Sequence, residues 1–264
     1  MMTYIMSQTK LSNFIDHKMK RIFDFLSSFL GLLFLSPLLI IFVFLIWRQD
    51  FKSPFYIAKR VGLNGKEFRM IKLRSMVVNA DKSGVDSTSA NDTRITKIGH
   101  IIRRFKLDEL MQLYNVLIGN MSLVGPRPNV RRETDLYTNI EKKLLDVKPG
   151  ITDISSIVFS DEGEILADKI DPDISYHQLI RPGKSKLGLF YVANRSLMFD
   201  LYLILLTILA VFSKRKALNL LVIKMQNLNA SKELISITSR SEKLSPSPPP
   251  GALNIVTNRD GKVN

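Results

Sequence analysis

The longest apolar stretch of the chain runs from residue 25 to residue 47 and contains no charged residue. At about 1.5 Å per residue, such a helix is long enough to cross a hydrocarbon core of roughly 30 Å. Ser36-Pro37 lies in its middle, where proline removes a backbone hydrogen bond and a serine hydroxyl can satisfy the freed carbonyl.

Basic residues flank both ends of this stretch, and they are Lys18, Lys20, Arg21, Arg48, Lys52, Lys59 and Arg60. Positive charge marks the cytoplasmic side of a membrane. Symmetric basic flanks therefore favour a re-entrant helix–break–helix hairpin over residues 18–50, which enters the membrane and returns. A simple spanning helix, which length alone favours, stays open as the alternative.

The pattern after this stretch predicts a β-hairpin followed by helices. Residues 55–76 read as two strands around Asn64-Gly65, the strongest short hairpin signal. Apolar residues at helical spacing predict a helix over residues 94–117. Residues 201–212 are apolar but too short to span, and we expect an amphipathic helix in the membrane interface, with a buried core helix as the alternative.

The remaining segments are mainly polar. Residues 1–17 are predicted to be an N-terminal lead-in, and residues 79–93 a Gly/Ser-rich loop. An amphipathic helix is predicted over residues 131–146. A C-terminal tail over residues 216–264 is predicted to be largely disordered beyond about residue 224. The whole is an α/β fold, mostly helical with a small β-hairpin or sheet, whose cytoplasmic domain covers 51–215.

The composition of the 264 residues narrows the chemistry. Lys and Arg number 38 against 24 for Asp and Glu, a net charge of +14, which favours anionic partners such as lipid headgroups or phosphorylated substrates. We predict no nucleic-acid partner, because few aromatic residues lie among the basic ones. The absence of cysteine excludes disulfides, thiolate metal sites and a cysteine nucleophile. The three histidines are not spaced as metal ligands.

Asp108-Glu109 is the first candidate for chemistry. Acidic residues that open a helix are favoured by its dipole and by capping alone. Here, however, Arg103, Arg104 and Lys106 lie immediately upstream. Such a cluster lowers carboxylate pKa values and attracts phosphate, so an ionised Asp108 could attack phosphorus.

Three cations are candidates for binding phosphate. Arg127 lies between Pro126 and Pro128, which restrict its backbone and pre-organise its guanidinium; a rigid turn with a solvated arginine is the alternative. Lys72 and Arg74 are two positions apart on a predicted strand, so both should lie on one face, either in a phosphate site or in solvent.

The chain has no Walker loop and no GxGxxG motif at a strand–helix junction, so a nucleotide must be held in another way. A diphosphate substrate bound by few protein carboxylates usually brings Mg²⁺. Asp108 is the expected ligand, and magnesium would neutralise the diphosphate and stabilise the leaving nucleotide.

The order of these pieces resembles the bacterial sugar transferases, the monotopic polyprenol-phosphate phosphoglycosyltransferases. The matching stretches cover roughly residues 18 to 212 and include FRMIKLRSM, DTRITKIGHIIRRFKLDELMQLYNVLIGNMSLVGPRP, VKPGIT and NRSLMFDLYLILLTIL. The long central stretch is very specific.

This resemblance implies roles for individual residues. Asp108 is similar to the family's nucleophile, which forms a covalent phosphosugar intermediate, and Glu109 to its acid/base partner. Arg127 would bind substrate phosphate within the Pro126–Pro128 motif. The resemblance also places Lys72 and Arg74 in the active site, Arg103 near the lipid phosphate, and Ser36-Pro37 at the break of the re-entrant hairpin.

The resemblance implies a reaction as well. The family uses Mg²⁺ to transfer a sugar 1-phosphate from a UDP-sugar to a polyprenyl phosphate, usually undecaprenyl phosphate, with release of UMP. The expected location is the cytoplasmic face of the bacterial inner membrane, against anionic lipid headgroups, and a homo-oligomer is left open. Direct in-line transfer without a covalent intermediate and a basic membrane adaptor without catalysis are the alternatives.

The chain departs from the family pattern at three places. Lys106 stands where a small hydroxyl residue is common, and Met111 stands where proline is usual. The stretch DISSIVFSDEGEILA after Thr152 differs from the Gly-containing segment of many members. These departures leave the reaction class intact but leave the sugar unidentified.

Overall fold

A computed structural model describes residues 2–80, 92–167, 169–258 and 261, with side chains from residue 18 onward. The helices are α1 Met2–Asp50, α2 Lys97–Arg104, α3 Gln112–Leu117, α4 Arg131–Thr134, α5 Ile154–Val158, α6 Glu162–Ala167, α7 Pro172–Ser175, α8 Arg181–Asn194, α9 Leu197–Phe212, α10 Lys214–Asn227 and α11 Lys232–Ser239. The strands are β1 Phe55–Val61, β2 Glu67–Leu73, β3 Ser122–Val124 and β4 Gly150–Thr152. This is the mostly helical fold with small sheets that the sequence predicts. Most of the predicted loop over residues 79–93 lies outside the described residues.

Helix α1 is continuous through Pro37. The Ser36 hydroxyl donates to the Leu33 carbonyl oxygen at 2.7 Å, and this is the carbonyl that the missing proline amide leaves free. Within residues 2–50 the backbone forms one helix, so the structure does not show the predicted hairpin of two helices. The helix also includes the predicted lead-in.

The part of α1 from Lys18 to Asp50 is long and apolar enough to cross a membrane, with a mean hydropathy of 2.9 in its most apolar window. Only 11% of that window is buried, which distinguishes it from the core helix of a soluble protein. Phe34, for example, is 77% exposed. Exposure of a long apolar surface to water is unfavourable, so this surface favours a lipid environment.

The predicted hairpin is confirmed. β1 and β2 pair antiparallel, with Phe55 opposite Leu73 and Val61 opposite Glu67. Asn64 and Gly65 both have left-handed backbones, with φ of 55° and 72°, as the turn chemistry requires.

The predicted helix over residues 94–117 is interrupted. α2 ends at Arg104, and Lys106 has a left-handed backbone with φ of 52°. A 3₁₀ turn, Leu107–Met111, follows and leads directly into α3. Since the left-handed conformation is unfavourable for a residue with a Cβ, Lys106 ends the α-helical run. The acidic pair therefore lies on a 3₁₀ turn.

Strands β3 and β4 pair in parallel and bring Gly125 against Gly150. A Cβ added to Gly125 would lie 2.3 Å from the Lys148 carbonyl oxygen, and one added to Gly150 would lie 2.1 Å from the Gly125 nitrogen. Only glycine permits this approach of the two backbones. The close contact fixes the start of the Gly125–Pro128 loop.

The main core lies between helices α5, α8, α9 and α10. Its largest fully buried side chains are Tyr191, Phe199, Ile154, Ile157, Ile180, Leu187, Leu203 and Leu221. Helix α9 turns one face to this core, and its other face is exposed. The exposed residues are Met198, Leu205, Ile208, Val211 and Phe212. Both faces of α9 are therefore apolar, unlike the amphipathic helix that was expected, and the exposed face favours an apolar environment. Its place in the membrane interface stays a prediction.

Polar side chains at the start of the apolar part of α1 attach it to the domain. Lys20 donates to the Val124 carbonyl oxygen at 3.1 Å and pairs with the Asp200 carboxylate. The Tyr191 hydroxyl donates to the same Asp200 carboxylate at 2.6 Å. Asp24 accepts from the backbone amide of Leu123 at 3.0 Å. These contacts fix β3, and with it the loop that follows, relative to α1.

Replacing Lys20 with methionine should therefore destabilise the protein. Asp200 is buried, and loss of its cationic partner would lower the free energy of unfolding by about 2–4 kcal/mol. Thermal unfolding in detergent measures this loss. Lys59→Met, at an exposed position on β1, serves as control with an expected change within about 0.5 kcal/mol. Equal stability of the two variants would contradict the attachment.

Two predicted segments differ in the structure. The helix predicted over residues 131–146 is wrong, because α4 ends at Thr134 and a 3₁₀ turn covers Glu141–Asp146. Between them Thr138 and Glu141 cap each other: the Glu141 amide donates to the Thr138 hydroxyl at 3.1 Å, and the Thr138 amide donates to the Glu141 carboxylate at 3.0 Å. Such a reciprocal box starts a new turn.

The second difference lies beyond residue 224, where the end of α10 and the whole of α11 are helical and the predicted disorder is wrong. Leu221 and Met225 are fully buried against the core. The segment after α11 returns along the domain, and the Gln178 amide donates to the Val256 carbonyl oxygen at 2.7 Å. The physical reason is that the segment is polar overall but its helices have an apolar face, which packs on α5 and α8.

Candidate active site

The structure brings together four of the predicted residues in one row of alternating contacts. The Lys72 ammonium lies 3.4 Å from Asp108 Oδ2 and 3.6 Å from Glu109 Oε1. Arg127 Nη2 lies 2.9 Å from the same Glu109 oxygen. The row therefore runs from Asp108 through Lys72 and Glu109 to Arg127.

The local fold explains how distant residues meet. Strand β2 carries Lys72 and packs against the 3₁₀ turn that carries the acidic pair. Asn115, fully buried on α3, connects this helix to β2. Its side-chain nitrogen donates to the Arg69 carbonyl oxygen at 2.7 Å, and its side-chain oxygen accepts from the Ile71 backbone amide at 2.9 Å. Sequence analysis missed Asn115, because a polar residue within an apolar pattern gives no signal of its partner.

Glu109 lies in a strongly positive field. Burial disfavours its charge, but the charges of Arg127 and Lys72, with the hydrogen bond from Arg127, outweigh burial and lower the pKa of Glu109 to about 2. The carboxylate is therefore ionised at neutral pH. Its negative charge in turn raises the pKa of Arg127 above its usual value.

Arg127 is presented by a rigid loop. Pro126 and Pro128 are both buried, whereas the Arg127 side chain is 44% exposed. The Pro126 carbonyl oxygen accepts from the Gly150 amide at 3.1 Å, which connects the loop to β4. The guanidinium is thus held at the surface, where an anion can reach it.

Arg74 lies elsewhere. Its guanidinium binds Asp50 at the end of α1 through two hydrogen bonds of 2.5 and 2.7 Å. The predicted common face with Lys72 fails because the strand ends at Leu73 and Arg74 pairs with Asp50, the last residue of α1. Arg74 fastens α1 to the hairpin and does not reach the carboxylate pair.

Arg103 is half-buried on the last turn of α2. Among the described residues it forms no hydrogen bond or ion pair with Asp108 or Glu109. It remains a candidate for a phosphate that arrives from the apolar side.

The protein can supply only part of the coordination shell of a magnesium ion. Among the described residues no three potential metal ligands cluster together. Carboxylate oxygens of Asp108 and Glu109 are the hard donors that Mg²⁺ prefers, and substrate phosphates and water usually complete its shell. The donor chemistry thus fits an ion that arrives with a diphosphate.

Comparisons with known proteins identify the family of this chain. A family model described as bacterial sugar transferase matches residues 15–214. The exopolysaccharide production protein ExoY of Sinorhizobium fredii (strain NBRC 101917 / NGR234) is 34% identical over 211 residues, which are 74% of this chain and 86% of that protein. A putative undecaprenyl-phosphate N-acetylgalactosaminyl 1-phosphate transferase of Bacillus subtilis (strain 168) is 42% identical over 120 residues, 46% of this chain and 67% of that protein.

A third relative is the UDP-glucose:undecaprenyl-phosphate glucose-1-phosphate transferase of Klebsiella pneumoniae. It is 33% identical over 210 residues, which are 78% of this chain but 42% of that protein. The region that the family model matches, residues 15–214, contains every residue of the Asp108–Lys72–Glu109–Arg127 row. The chain belongs to the bacterial sugar transferase family.

Proposed function

We propose that this chain transfers a sugar 1-phosphate from a UDP-sugar to polyprenyl phosphate, the carrier being undecaprenyl phosphate as in the names of two relatives. The observation that carries the proposal is the Asp108–Lys72–Glu109–Arg127 row, whose acidic residues lie on a turn packed against the exposed apolar helix α1. Transfer of a phosphosugar to a lipid phosphate requires such a site, because two anionic substrates must meet near a membrane surface. The product would begin the synthesis of a lipid-linked glycan.

The first half-reaction uses Asp108 as nucleophile. A carboxylate oxygen of Asp108 attacks the β-phosphorus of the UDP-sugar and forms an oxygen–phosphorus bond. The bond from that phosphorus to the bridging oxygen breaks, and UMP leaves with this oxygen. Lys72 and Arg127 reduce the repulsion between the carboxylate and the diphosphate and stabilise the charge that develops on the phosphoryl oxygens.

The second half-reaction restores the enzyme. A phosphate oxygen of the lipid attacks the phosphorus of the Asp108-phosphosugar, and the bond to the aspartyl oxygen breaks. The product is a lipid diphosphosugar. Glu109, which is adjacent to Asp108 and ionised, would accept a proton from a protonated lipid phosphate.

Magnesium would be held by Asp108, with Glu109 beside it, and would supply charge neutralisation for the diphosphate and the leaving nucleotide. Lys72 and Arg127 would attract the diphosphate from the protein side.

The membrane arrangement follows from the basic flanks of α1. A re-entrant α1, bent at Ser36-Pro37, would keep both flanks at the cytoplasmic face of the bacterial inner membrane, against anionic headgroups. The exposed apolar face of α9 would then lie in the interface. Arg103 on α2 would meet the phosphate of the lipid carrier there.

A screen of UDP-sugars against undecaprenyl phosphate, with detection of UMP, tests this function. The screen includes UDP-glucose and UDP-N-acetylgalactosamine, because these sugars are named for two of the relatives. We expect UMP release and a lipid-linked product with at least one donor. A purified protein that releases UMP from none of them in lipid nanodiscs would favour a non-catalytic membrane adaptor.

A further inference from the structure

The chain continues beyond the region that the family model matches, which ends at residue 214. The described residues after α11 form neither helix nor strand. Residues 244–258 and Gly261 of this part are called the C-terminal strap. Val256 of the strap is fully buried, whereas Leu253 is 96% exposed. One side of the strap therefore packs on the protein, and the other side faces solvent.

The strap is bound to Gln178 by two hydrogen bonds. The backbone amide of Ser247 donates to the Gln178 carbonyl oxygen at 3.1 Å, and the Gln178 side-chain amide donates to the Val256 carbonyl oxygen at 2.7 Å. Gln178 belongs to the π-helical turn Tyr176–Ile180, which leads directly into α8 at Arg181. The two hydrogen bonds therefore fix the strap beside the start of α8.

The end of the strap completes the hydrogen bonding of a buried ion pair. Arg181 and Glu141 are 3% and 0% exposed, and Arg181 Nη2 lies 2.9 Å from Glu141 Oε2. The same Nη2 donates to the Leu136 carbonyl oxygen at 2.7 Å, and Nη1 donates to the Gly261 carbonyl oxygen at 3.3 Å. A buried guanidinium needs such acceptors, because an unpaired buried N–H group costs free energy. The strap thus supports the arginine that holds Leu136.

The strap also contacts the segment that leads from Leu136 to Thr138. The Thr138 hydroxyl donates to the Pro250 carbonyl oxygen. A Cβ added to Gly251 would lie 3.2 Å from the Thr138 hydroxyl oxygen, and one added to Gly261 would lie 2.5 Å from Leu136 Cδ1. Both glycines have left-handed backbones, with φ of 85° and 66°, which glycine adopts without strain. Glycine at these two positions therefore allows the strap to approach the segment closely.

Tyr137, in the middle of this segment, connects it with the loop that carries Arg127. The Tyr137 hydroxyl accepts from the Asn129 side-chain amide at 2.8 Å. Asn129 lies two residues after Arg127, and its carbonyl oxygen accepts from the Val61 backbone amide at 2.9 Å, at the end of β1. The buried Pro128 between them restricts the backbone, so a shift of Asn129 would be transmitted to Arg127. The position of the guanidinium thus depends on Tyr137.

We propose that the C-terminal strap is a positioning element of the active site. The strap holds the segment around Tyr137, and Tyr137 fixes Asn129 and with it the loop that presents Arg127 to substrate phosphate. This inference rests on the proposed function for the role of Arg127. The strap acts on the reaction only through the position of the guanidinium, and misplacing such a group by about 1 Å can cost about 10²-fold in rate.

Hydrogen exchange of the full-length protein in detergent tests the link without turnover. Val256→Asp places a charge at a fully buried position and should release the strap, whereas Leu253→Asp makes the same kind of change at an exposed position. We expect faster exchange of the backbone amides over residues 129–138 in Val256→Asp, with exchange over β2 unchanged, and no change in Leu253→Asp.

Val256→Ala provides the same test if Val256→Asp does not fold. It leaves only a void where the valine packed and should speed the exchange over residues 129–138 to a smaller extent. Unchanged exchange over these residues in a folded protein with either Val256 substitution would overturn the proposal.

Turnover provides the second readout. Val256→Asp should lower kcat/KM for a UDP-sugar by about tenfold, because Arg127 is misplaced but still present. Tyr137→Phe removes only the hydrogen bond to Asn129 and should lower kcat/KM as well, whereas Leu253→Asp should not. In the Arg127→Ala protein, Val256→Asp and Tyr137→Phe should have little further effect, because the group that they misplace is already gone.

This comparison separates positioning from general stability. Equal fold-losses from Val256→Asp in proteins with and without Arg127 would show that the strap supports only the fold, and would overturn the proposal. A wild-type protein that releases UMP from no UDP-sugar, but shows the expected change in hydrogen exchange on Val256→Asp, would count against the proposed function and would support the link between the strap and the Arg127 loop.

Discussion

Asp108→Asn is expected to lower the transfer of phosphosugar to lipid by about 10³-fold or more, because the amide cannot attack phosphorus. The substitution preserves the shape of the side chain but removes the charge that pairs with Lys72 at 3.4 Å. UMP release and formation of the lipid product, measured with the best donor from the UDP-sugar screen, give the two rates. Asp135→Asn, at an exposed aspartate after α4, is the matched control and should retain wild-type rates.

Loss of activity alone would also be expected if Asp108 only held magnesium during direct in-line transfer. Exchange of labelled UMP into the UDP-sugar separates the two mechanisms. With a covalent intermediate, labelled UMP should enter the UDP-sugar in the absence of lipid phosphate, because the first half-reaction is reversible on its own. Direct transfer gives no such exchange until the lipid is present. Wild-type rates in Asp108→Asn, or exchange that needs the lipid, would contradict the nucleophile assignment.

Sequence analysis predicted the parts of the site that depend on local chemistry. Asn64-Gly65 requires a turn, so the strand that carries Lys72 could be predicted. The prolines around Arg127 restrict its backbone, so its exposed guanidinium could be expected as well. The proximity of Lys72, Glu109 and Arg127 could not be derived from spacing, because it depends on Asn115 and on the glycine contact between β3 and β4.

The predictions that failed have different physical causes. Arg74 was expected at the site because it lies two residues after Lys72. Instead, its guanidinium donates hydrogen bonds to Asp50 just beyond the end of the strand. The interruption at Lys106 could not be read from apolar spacing, since the pattern continues across it. A signal for the break within residues 131–146 was present, because Thr138 and Glu141 form a capping-box sequence.

Ordered structure after residue 224 was missed for a different reason. Polar composition argued for disorder, but Ser231 accepts a hydrogen bond from the Leu234 amide at 3.3 Å and starts α11 as an N-cap. Thr238 of that helix is fully buried, where its hydroxyl donates to the Leu234 carbonyl oxygen at 2.7 Å. A polar residue can thus belong to a packed face when a helix satisfies its hydroxyl.

Arg127→Ala is expected to lower kcat/KM by about 10²-fold or more, because it removes a cation from the developing charge on the phosphoryl oxygens. Arg127→Lys should recover only part of this loss, since an ammonium cannot bind two oxygens in the planar fashion of a guanidinium. Arg131→Ala is the control. Arg131 forms an exposed ion pair with Glu67 at 3.2 Å and should contribute little.

The pH dependence of the same variants tests the interaction between Arg127 and Glu109. In the wild type the pKa of Glu109 is lowered from 4.5 to about 2, so this ion pair stabilises the fold above about pH 4.5 and loses its effect as the pH falls toward 2. In Arg127→Ala, burial still disfavours the ionised form of Glu109, and only Lys72 and Lys106 remain to favour it. The pKa of Glu109 should therefore rise. The stability difference between the two proteins should therefore narrow as the pH falls from 4.5 toward 2.

The pH dependence of kcat/KM should shift in the same direction as the pKa of Glu109. If ionised Glu109 is needed as a base, the acidic limb of the kcat/KM profile should move to higher pH in Arg127→Ala, and Arg127→Lys, which keeps the positive charge, should move it less. Identical acidic limbs in all three proteins would show that Glu109 does not act as a base in the rate-determining step. Wild-type kcat/KM in Arg127→Ala would show that the guanidinium does not bind the substrate phosphate.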